Sequence, residues 1–174
     1  MVEHKILISE EKLQKRITEL AEQISNDYEG EDITLICTLK GAVYFTIDLS
    51  KKITKSDVIL DFIRVSSYGV NNRETTGKLD FKLDISEDIK DKNVIVVEDI
   101  VDSGITLNYL YDYLKTKNPK SLKLCVLLDK KARRQKEIAI DYTGFEIENK
   151  FVLGYGLDYD EKYRNLPYIG YVEV

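Results

Sequence analysis

The sequence predicts an α/β fold in which a central parallel sheet is flanked by helices. Two observations carry this prediction. Several apolar runs have the length of a single strand and are nearly continuous, as expected for strands covered on both faces. These runs alternate with segments in which apolar residues recur at helical spacing, a pattern typical of parallel sheets. The 174 residues suffice for one domain with a sizeable core.

The predicted elements begin with a short strand over residues 4–8. Ser9 is predicted to cap the helix that follows, because its hydroxyl can accept from the first turn, and Gly30 marks the end of that helix. Residues 68–79 are polar and show no periodicity, which predicts a long loop. The remaining predictions are strands at 33–39, 57–67, 93–99 and 121–129, helices after the turn at 40–41 and over 105–116, and short strands at 145–149 and 150–155.

Composition restricts the class of protein. The formal net charge of −5 argues against a nucleic-acid-binding surface, which usually shows an excess of clustered Lys and Arg. Cys37 and Cys125 each lie inside an apolar run and form no metal-ligand spacing, which indicates buried thiols in a reducing compartment. No run reaches the ~18 apolar residues that a membrane helix needs. We therefore expect a cytoplasmic protein without nucleic-acid or membrane partners.

Three predicted strands end in polar or glycine-containing sequence. In parallel sheets, ligands bind beyond the carboxyl ends of the strands, so these ends are expected to converge on one site. The three strand ends are residues 39–41, Glu98 with Asp99, and Asp129 with Lys130.

The sequence VIVVEDIVDSGITL at 94–107 is the most informative stretch. A glycine turn that opens a helix presents backbone N–H groups in one direction, which favours a bound phosphate, and the hydroxyls of Ser103 and Thr106 add donors. Acids beside a phosphate require a mediator, which can be a divalent metal or a sugar whose hydroxyls donate to the carboxylates. A single aspartate at such a turn usually caps the helix. Three acids around a buried strand end indicate a binding site rather than a helix cap alone, because an unpaired buried charge is costly.

This stretch resembles the 5-phosphoribosyl-1-pyrophosphate (PRPP) motif of the type I phosphoribosyltransferases. Residues 39–41, 66–69, 127–134 and 151–170 each resemble a stretch of the short bacterial hypoxanthine-guanine phosphoribosyltransferases, in order along nearly the whole chain. The resemblance implies the type I phosphoribosyltransferase fold, with residues 1–174 as a single domain. It also implies a small hood subdomain from roughly 1–10 and 129–174, and a homo-oligomer, either a dimer or a tetramer.

The activity that the resemblance implies is purine salvage. The phosphoribosyl group of PRPP would pass to N9 of hypoxanthine or guanine, giving IMP or GMP and pyrophosphate, with Mg²⁺ as cofactor. Glu98 and Asp99 would hold the ribose hydroxyls and a metal, and Asp102 would be the general base at purine N7. Ile105 stands where relatives often have a polar or basic residue, which leaves a backbone cradle intact. The residues implied for the 5′-phosphate are Asp102, Ser103, Gly104, Ile105, Thr106 and Leu107.

Pyrophosphate would bind, by the same resemblance, to Lys40, Gly41 and Arg164, next to a non-proline cis peptide that precedes the lysine. Ser67 and Tyr68 would belong to a lid, formed by the 68–79 loop, that excludes water from the reaction centre. Taken alone, the lysine would be assigned to an ordinary solvated turn.

Purine recognition would fall to Lys130, as donor to O6, and to Phe151, which would stack on the ring. The backbone of Val152 would contact the ring edge, and Asp158 would bind near the purine and a Mg²⁺ ion. Relatives often carry a proline shortly before the aromatic residue, where this chain has IENKF. In isolation Phe151 would be a core residue and Asp158 a surface acid.

Three alternatives remain open at this point. A regulator of the same fold, binding RNA or DNA and sensing PRPP, would be expected to carry a basic face or an added DNA-binding domain. A transferase for another base is the second alternative, and Lys130 with Phe151 argues against adenine and orotate more than against xanthine. A structural nucleotide-binding protein would leave Lys40, Asp102 and Arg164 unexplained. The short basic segment KKARRQK at 130–136 is expected to be a solvated face.

Overall fold

The structure is a computed structural model that describes residues 2–67 and 79–173. Its strands are β1 Lys5–Ile8, β2 Ile33–Thr38, β3 Val58–Ser67, β4 Leu79–Leu83, β5 Asn93–Val101, β6 Ser121–Asp129, β7 Tyr142–Glu146, β8 Phe151–Leu153 and β9 Ile169–Val172. Its helices are α1 Glu10–Asp27, α2 Val43–Lys52 and α3 Ile105–Lys115. Within these described ranges, no helix is both long enough and apolar enough to cross a membrane.

The main sheet has six strands in the order β4-β3-β2-β5-β6-β7. All neighbouring pairs are parallel except β3 with β4. Ile33 of β2 lies beside Val58 of β3 and Asn93 of β5, and Asn93 lies beside Ser121 of β6. Because these four strands start in register, their carboxyl ends reach the same edge of the sheet. The predicted α/β class with a central, mostly parallel sheet is confirmed.

The core lies on both faces of the main sheet, which explains the continuous apolar runs. Side chains alternate across a strand, so Ile95 and Val97 of β5 pack with α1 and α2, whereas Val94 and Val96 pack with α3. Ser9 caps α1 as predicted, because its Oγ accepts from the N–H of Lys12.

A second sheet of three antiparallel strands has the order β1-β9-β8. Its strands come from the two ends of the chain. They lie inside the ranges 1–10 and 129–174, for which a hood subdomain is predicted. That they act as such a unit stays a prediction.

Two strands of the structure were not predicted from the sequence, and a third begins earlier than predicted. Strand β4 was missed although Leu79, Phe81 and Leu83 alternate with charged residues, because the polar stretch before it concealed its start. Strand β9 has only four residues and depends on pairing with β1 and β8. Strand β7 begins at Tyr142 rather than at residue 145. Of the predicted loop at 68–79, residues 68–78 lie outside the described ranges.

Candidate active site

The carboxyl ends of β2, β5 and β6 meet in adjacent positions of the sheet, as the sequence predicts. The hydroxyl of Thr38, at the end of β2, lies 2.9 Å from both the carbonyl oxygen of Val97 and Oε1 of Glu98. The N–H of Lys130, just after β6, donates to the carbonyl of Val101 at 3.0 Å. The three predicted strand ends therefore form one continuous surface.

Glu98 and Asp99 are adjacent acids near the carboxyl end of β5. Burial, together with the neighbouring Asp99 carboxylate, holds the pKa of Glu98 well above its usual range. Asp99 also sets the space left for the turn after β2, because a Cβ on Gly41 would lie 1.6 Å from Oδ2 of Asp99. A side chain at position 41 would therefore displace the Asp99 carboxylate, because the backbone after Lys40 lies directly against this acid of β5.

The turn between β5 and α3 forms a small cavity. Gly104 adopts a φ of 77°, the left-handed conformation that favours glycine, and α3 starts at Ile105. The cavity has a volume of about 200 Å³, which suits one part of a ligand rather than a whole one. It is lined by Glu98, Ile100, Val101, Asp102, Ser103, Gly104, Thr106 and Leu107. Five of the six residues implied for the 5′-phosphate thus share one cavity, and Ile105 lies beside it.

The segment 134–136 forms hydrogen bonds with this turn. The carbonyl of Ser103 accepts from the N–H groups of Gln135 and Lys136 at 2.9 and 3.0 Å. Arg134 donates through Nε to the carbonyl of Asp102 at 3.2 Å and forms an ion pair with Asp129. The side chain of Arg134 is only 8% exposed and Lys130 is 7% exposed, so the expectation that 130–136 is a solvated face is wrong for these two residues. Arg134 can be buried here because its planar guanidinium donates to the Asp129 carboxylate and to the Asp102 carbonyl at the same time.

The carboxylate of Asp102 lies between two cations. Its Oδ2 is 3.5 Å from Nζ of Lys130 and 3.4 Å from NH1 of Arg133. Its Oδ1 is buried and, within the part of the chain that the structure describes, has no hydrogen-bond partner. One carboxylate oxygen thus remains able to accept a proton next to the amine of Lys130.

Lys130 connects Asp102 with the residue that precedes β8, the strand that holds two of the residues predicted to contact a purine. Lys130 is 7% exposed, and its Nζ donates to the carbonyl of Lys150 at 3.3 Å. Phe151 is 46% exposed and forms a T-shaped pair with the ring of Tyr159, so part of the Phe151 side chain is open to a ligand. Val152 is buried in β8 beside it.

The residues predicted for pyrophosphate lie where the turn after β2 meets the C-terminal loops. The Leu39–Lys40 peptide is cis, as the resemblance implies. Gly156 has a φ of 99°, and a Cβ there would lie 2.0 Å from the carbonyl oxygen of Gly41, so these two backbones touch. Arg164 donates through NH1 to the carbonyl of Gly156 at 2.7 Å, which places the arginine beside the same turn.

Arg164 and Lys40 are also joined by acidic side chains. Asp158 Oδ1 is 2.8 Å from NH2 of Arg164, while Glu161 Oε2 is 2.7 Å from Nζ of Lys40 and 3.4 Å from NH2 of Arg164. The ion pair with Lys40 lowers the pKa of Glu161 below its usual range. Nε of Arg164 is buried and unpaired among the described residues.

Carboxylate oxygens are ligands that Mg²⁺ prefers, but the three acids predicted to bind it do not form one cluster. Among the residues described, no group of three or more His, Cys, Asp or Glu side chains is arranged to hold a metal ion. Asp158 is engaged by Arg164 and by the N–H of Glu161. Glu98 with Asp99 fits the usual pattern for Mg²⁺, which takes one or two protein carboxylates and completes its shell with substrate phosphates and water.

Several residues of this site were not found by sequence reasoning. Thr38, Arg134 and Glu161 became apparent only from their contacts, because nothing in the local pattern separates a buried or bridging side chain from a solvated one. Ser67, predicted for a lid, is the last residue of β3. Tyr68, the other predicted lid residue, lies outside the described ranges.

Comparison with known proteins gives a consistent family assignment. A family model described as a phosphoribosyl transferase domain matches residues 6–160. The "Bifunctional protein TilS/HprT" of Listeria monocytogenes serotype 4b is 48% identical over 166 residues, which cover 95% of this chain and 25% of that protein. The chain thus spans about a quarter of the length of that relative.

Shorter relatives match over most of their length. The "Hypoxanthine-guanine phosphoribosyltransferase" of Mycobacterium tuberculosis (strain H37Rv) is 46% identical over 171 residues, covering 95% of this chain and 84% of that protein. Among solved structures, a hypoxanthine-guanine phosphoribosyltransferase from Bacillus anthracis superimposes with a TM-score of 0.92 at 51% identity, covering 99% of this chain and 100% of that one.

Proposed function

The chain belongs to the phosphoribosyl transferase family, and from that membership we propose that it transfers the phosphoribosyl group of PRPP to N9 of hypoxanthine or guanine. Relatives at about 45% identity that bear the name hypoxanthine-guanine phosphoribosyltransferase support this choice of base. The products are then IMP or GMP and pyrophosphate.

The single observation that carries the proposal is the position of Asp102. Its carboxylate lies 3.5 Å from the amine of Lys130 and lines the cavity at the start of α3. A purine held at O6 by Lys130 would present N7, which adjoins O6, towards Asp102. The Asp102 carboxylate is therefore proposed to lie between the cavity assigned to the 5′-phosphate and Lys130, the donor to purine O6.

Each part of the substrate has a proposed partner on the surface just described. The backbone and hydroxyls of residues 103–107 hold the 5′-phosphate at the start of α3, where the helix dipole favours negative charge. Glu98 and Asp99 accept from the ribose hydroxyls. Lys40, the backbone of Gly41 and Arg164 hold the pyrophosphate.

The reaction needs both charge stabilisation and proton removal. Departure of pyrophosphate leaves positive charge on the ribose ring, which nearby carboxylates stabilise much as they do in glycoside cleavage. As N9 bonds to the ribose, the purine must lose a proton, and Asp102 accepts it at N7. Phe151 holds the plane of the base by stacking on it, and the Val152 backbone contacts its edge.

Magnesium is proposed to bind to Glu98 and Asp99 on the ribose side, and to Asp158 on the pyrophosphate side. When bound, it would neutralise phosphate charge beside these carboxylates, which the resemblance implies and the oxygen-only donors support. Asp158 would have to loosen its ion pair with Arg164 for this role.

The proposal also includes the cellular location and the oligomeric state of the protein. We propose a cytoplasmic location, which is supported by two free, buried cysteines, since reduced thiols persist in reducing compartments. We also propose a homo-oligomer, which is supported by the family resemblance alone.

The direct test of the catalytic assignment is Asp102→Asn. The amide keeps the shape of the side chain but cannot accept the proton, so kcat is expected to fall by ~10²–10⁴-fold while PRPP still binds. Asp112→Asn, which changes an exposed aspartate of α3, is the matched control and should leave kcat unchanged. A value of kcat close to that of the unaltered enzyme, at saturating substrates, would remove Asp102 from the chemistry.

A further inference from the structure

Glu161 lies between the two cations to which pyrophosphate is assigned. Its Oε2 is 2.7 Å from Nζ of Lys40 and 3.4 Å from NH2 of Arg164. We propose that Glu161 competes with pyrophosphate for these two cations, and so sets the affinity for PRPP and assists release of the pyrophosphate product. This inference rests on the proposed function, because it uses the assignment of Lys40 and Arg164.

The competition is expected from the charge of Glu161 as well as from its position. A carboxylate oxygen and a phosphate oxygen accept the same charge-assisted hydrogen bonds, so each satisfies the donors of Lys40 and Arg164 in place of the other. A pyrophosphate at these donors would also be repelled by a carboxylate less than 4 Å from both cations. Pyrophosphate that binds at Lys40 is therefore expected to displace Glu161 from it.

The backbone around Glu161 directs its side chain towards the cations. Asp160 and Glu161 have φ values of 53° and 59°, in the left-handed region, within a turn closed by the pairing of Tyr159 with Lys162. The N–H of Glu161 donates to Oδ2 of Asp158 at 2.9 Å, which fixes the turn to the acid that holds Arg164. The carboxylate of Glu161 is thus presented by a defined turn.

The same geometry makes Glu161 easy to displace. Its side chain is 66% exposed and that of Lys40 is 46% exposed, and ion pairs this open to water are weak and screened by salt. Arg164, by contrast, is held by Asp158 and by the carbonyl of Gly156. Glu161 can move away while Arg164 stays in place to bind the anion. A pair of this strength changes the apparent affinity of a competing anion by about two- to five-fold.

Calorimetric titration with inorganic pyrophosphate and Mg²⁺ tests this competition. Glu161→Gln removes the charge and is expected to bind pyrophosphate about two- to five-fold more tightly than the unaltered enzyme. Glu173→Gln is the matched control, because Glu173 is equally exposed and forms a 2.6 Å ion pair with Lys5 on the second sheet. The control should leave the affinity unchanged, and raised ionic strength should reduce the gain. Equal or weaker binding by Glu161→Gln overturns the competition.

A third variant separates this inference from the proposed function. Lys40→Ala is expected to weaken pyrophosphate binding, and in that background Glu161→Gln should tighten it less than it does alone. If Lys40→Ala leaves the affinity unchanged, the assignment of Lys40 fails and the competition fails with it. If Lys40→Ala weakens binding but Glu161→Gln does not tighten it, only the competition fails, and the assignment of Lys40 stands.

Discussion

At the scale of single residues, Lys130 is the side chain most specific to the proposed substrate. An ammonium group only donates hydrogen bonds, so in the proposed role it would recognise the carbonyl O6 of hypoxanthine and guanine and reject the amino group of adenine. Lys130 is almost fully buried, and within the described residues its amine meets one carbonyl and the carboxylate of Asp102. A base that leaves the Lys130 amine without an acceptor in this buried site would bind with a large loss of free energy. The discrimination between bases is therefore expected to be strong.

Lys130→Ala tests this recognition. Loss of a charged hydrogen bond to O6 is expected to raise the KM for hypoxanthine and guanine by about 10- to 100-fold, and the KM for PRPP by much less. Steady-state kinetics with each substrate varied in turn would measure the two effects. Lys131→Ala is the matched control, because Lys131 is adjacent, exposed and paired with Glu146. Unchanged oxopurine kinetics in Lys130→Ala would show that the purine pocket lies elsewhere.

Residues in the site differ in how far the sequence could reveal them. Glu98, Asp99 and Asp102 stand out because three acids surround a buried strand end. The strand-end pattern singled out Lys130, but its role as donor to O6 and the role of Phe151 were implied only by the family resemblance, and Phe151 alone would be assigned to the core. The contact of Arg134 with Asp102 and that of Glu161 with Lys40 span 32 and 121 residues of sequence, so no local pattern could predict them.

At the scale of the elements, the segment after β6 joins the purine side of the site to the phosphate side. The ion pair of Arg134 with Asp129 closes this segment, and Arg134 and its neighbours hold the turn that contains Asp102. Both side chains are less than a tenth exposed. Removing one partner of a buried pair leaves the other charge uncompensated, which is more destabilising than never having had the pair.

Arg134→Gln is therefore expected to lower the free energy of unfolding by about 3–5 kcal/mol. Urea denaturation followed by circular dichroism would measure the change. Arg133→Gln provides the control, because this neighbouring arginine is 60% exposed and its loss should change stability by no more than about 0.5 kcal/mol. If the two variants are equally stable, the pair of Arg134 with Asp129 does not support the site.

Elements with a complete local signal were predicted within a residue or two. Helix α1 has a cap and a repeating apolar face, and β6 was predicted with the bounds that the structure gives. Strand β9 has four residues and pairs with β1 from the other end of the chain, so its local signal is weak. Strand β4 pairs with the strand before it, and its signal was concealed by the polar stretch that precedes it.

At the scale of the whole molecule, the register of the strands in the main sheet brings the residues of the site together. Strands β2, β5 and β6 start in register and lie side by side, so polar residues at their ends meet although they are separated by about sixty and thirty residues of chain. Both faces of the sheet are covered by apolar packing, which leaves this edge as the place where charged groups can collect.

The collected acids predict a dependence on metal. Pyrophosphate beside Glu98, Asp99 and Asp158 would meet uncompensated negative charge without a cation, so a chelator is expected to abolish turnover and added Mg²⁺ to restore it. Calorimetry of PRPP binding with and without Mg²⁺ gives a second readout. Full turnover in excess chelator would contradict the assignment of these acids to a metal.

Nucleotide formation from PRPP is the measurement that tests the central claim most directly. The protein would be incubated with PRPP, Mg²⁺ and one base at a time, namely hypoxanthine, guanine, xanthine, adenine or orotate, and nucleotide and pyrophosphate would be quantified together. We predict equal amounts of the two products, efficient turnover of hypoxanthine and guanine, and use of adenine lower by about 10⁴-fold. Adenine as the best substrate, or no nucleotide from any base, would contradict the proposed function.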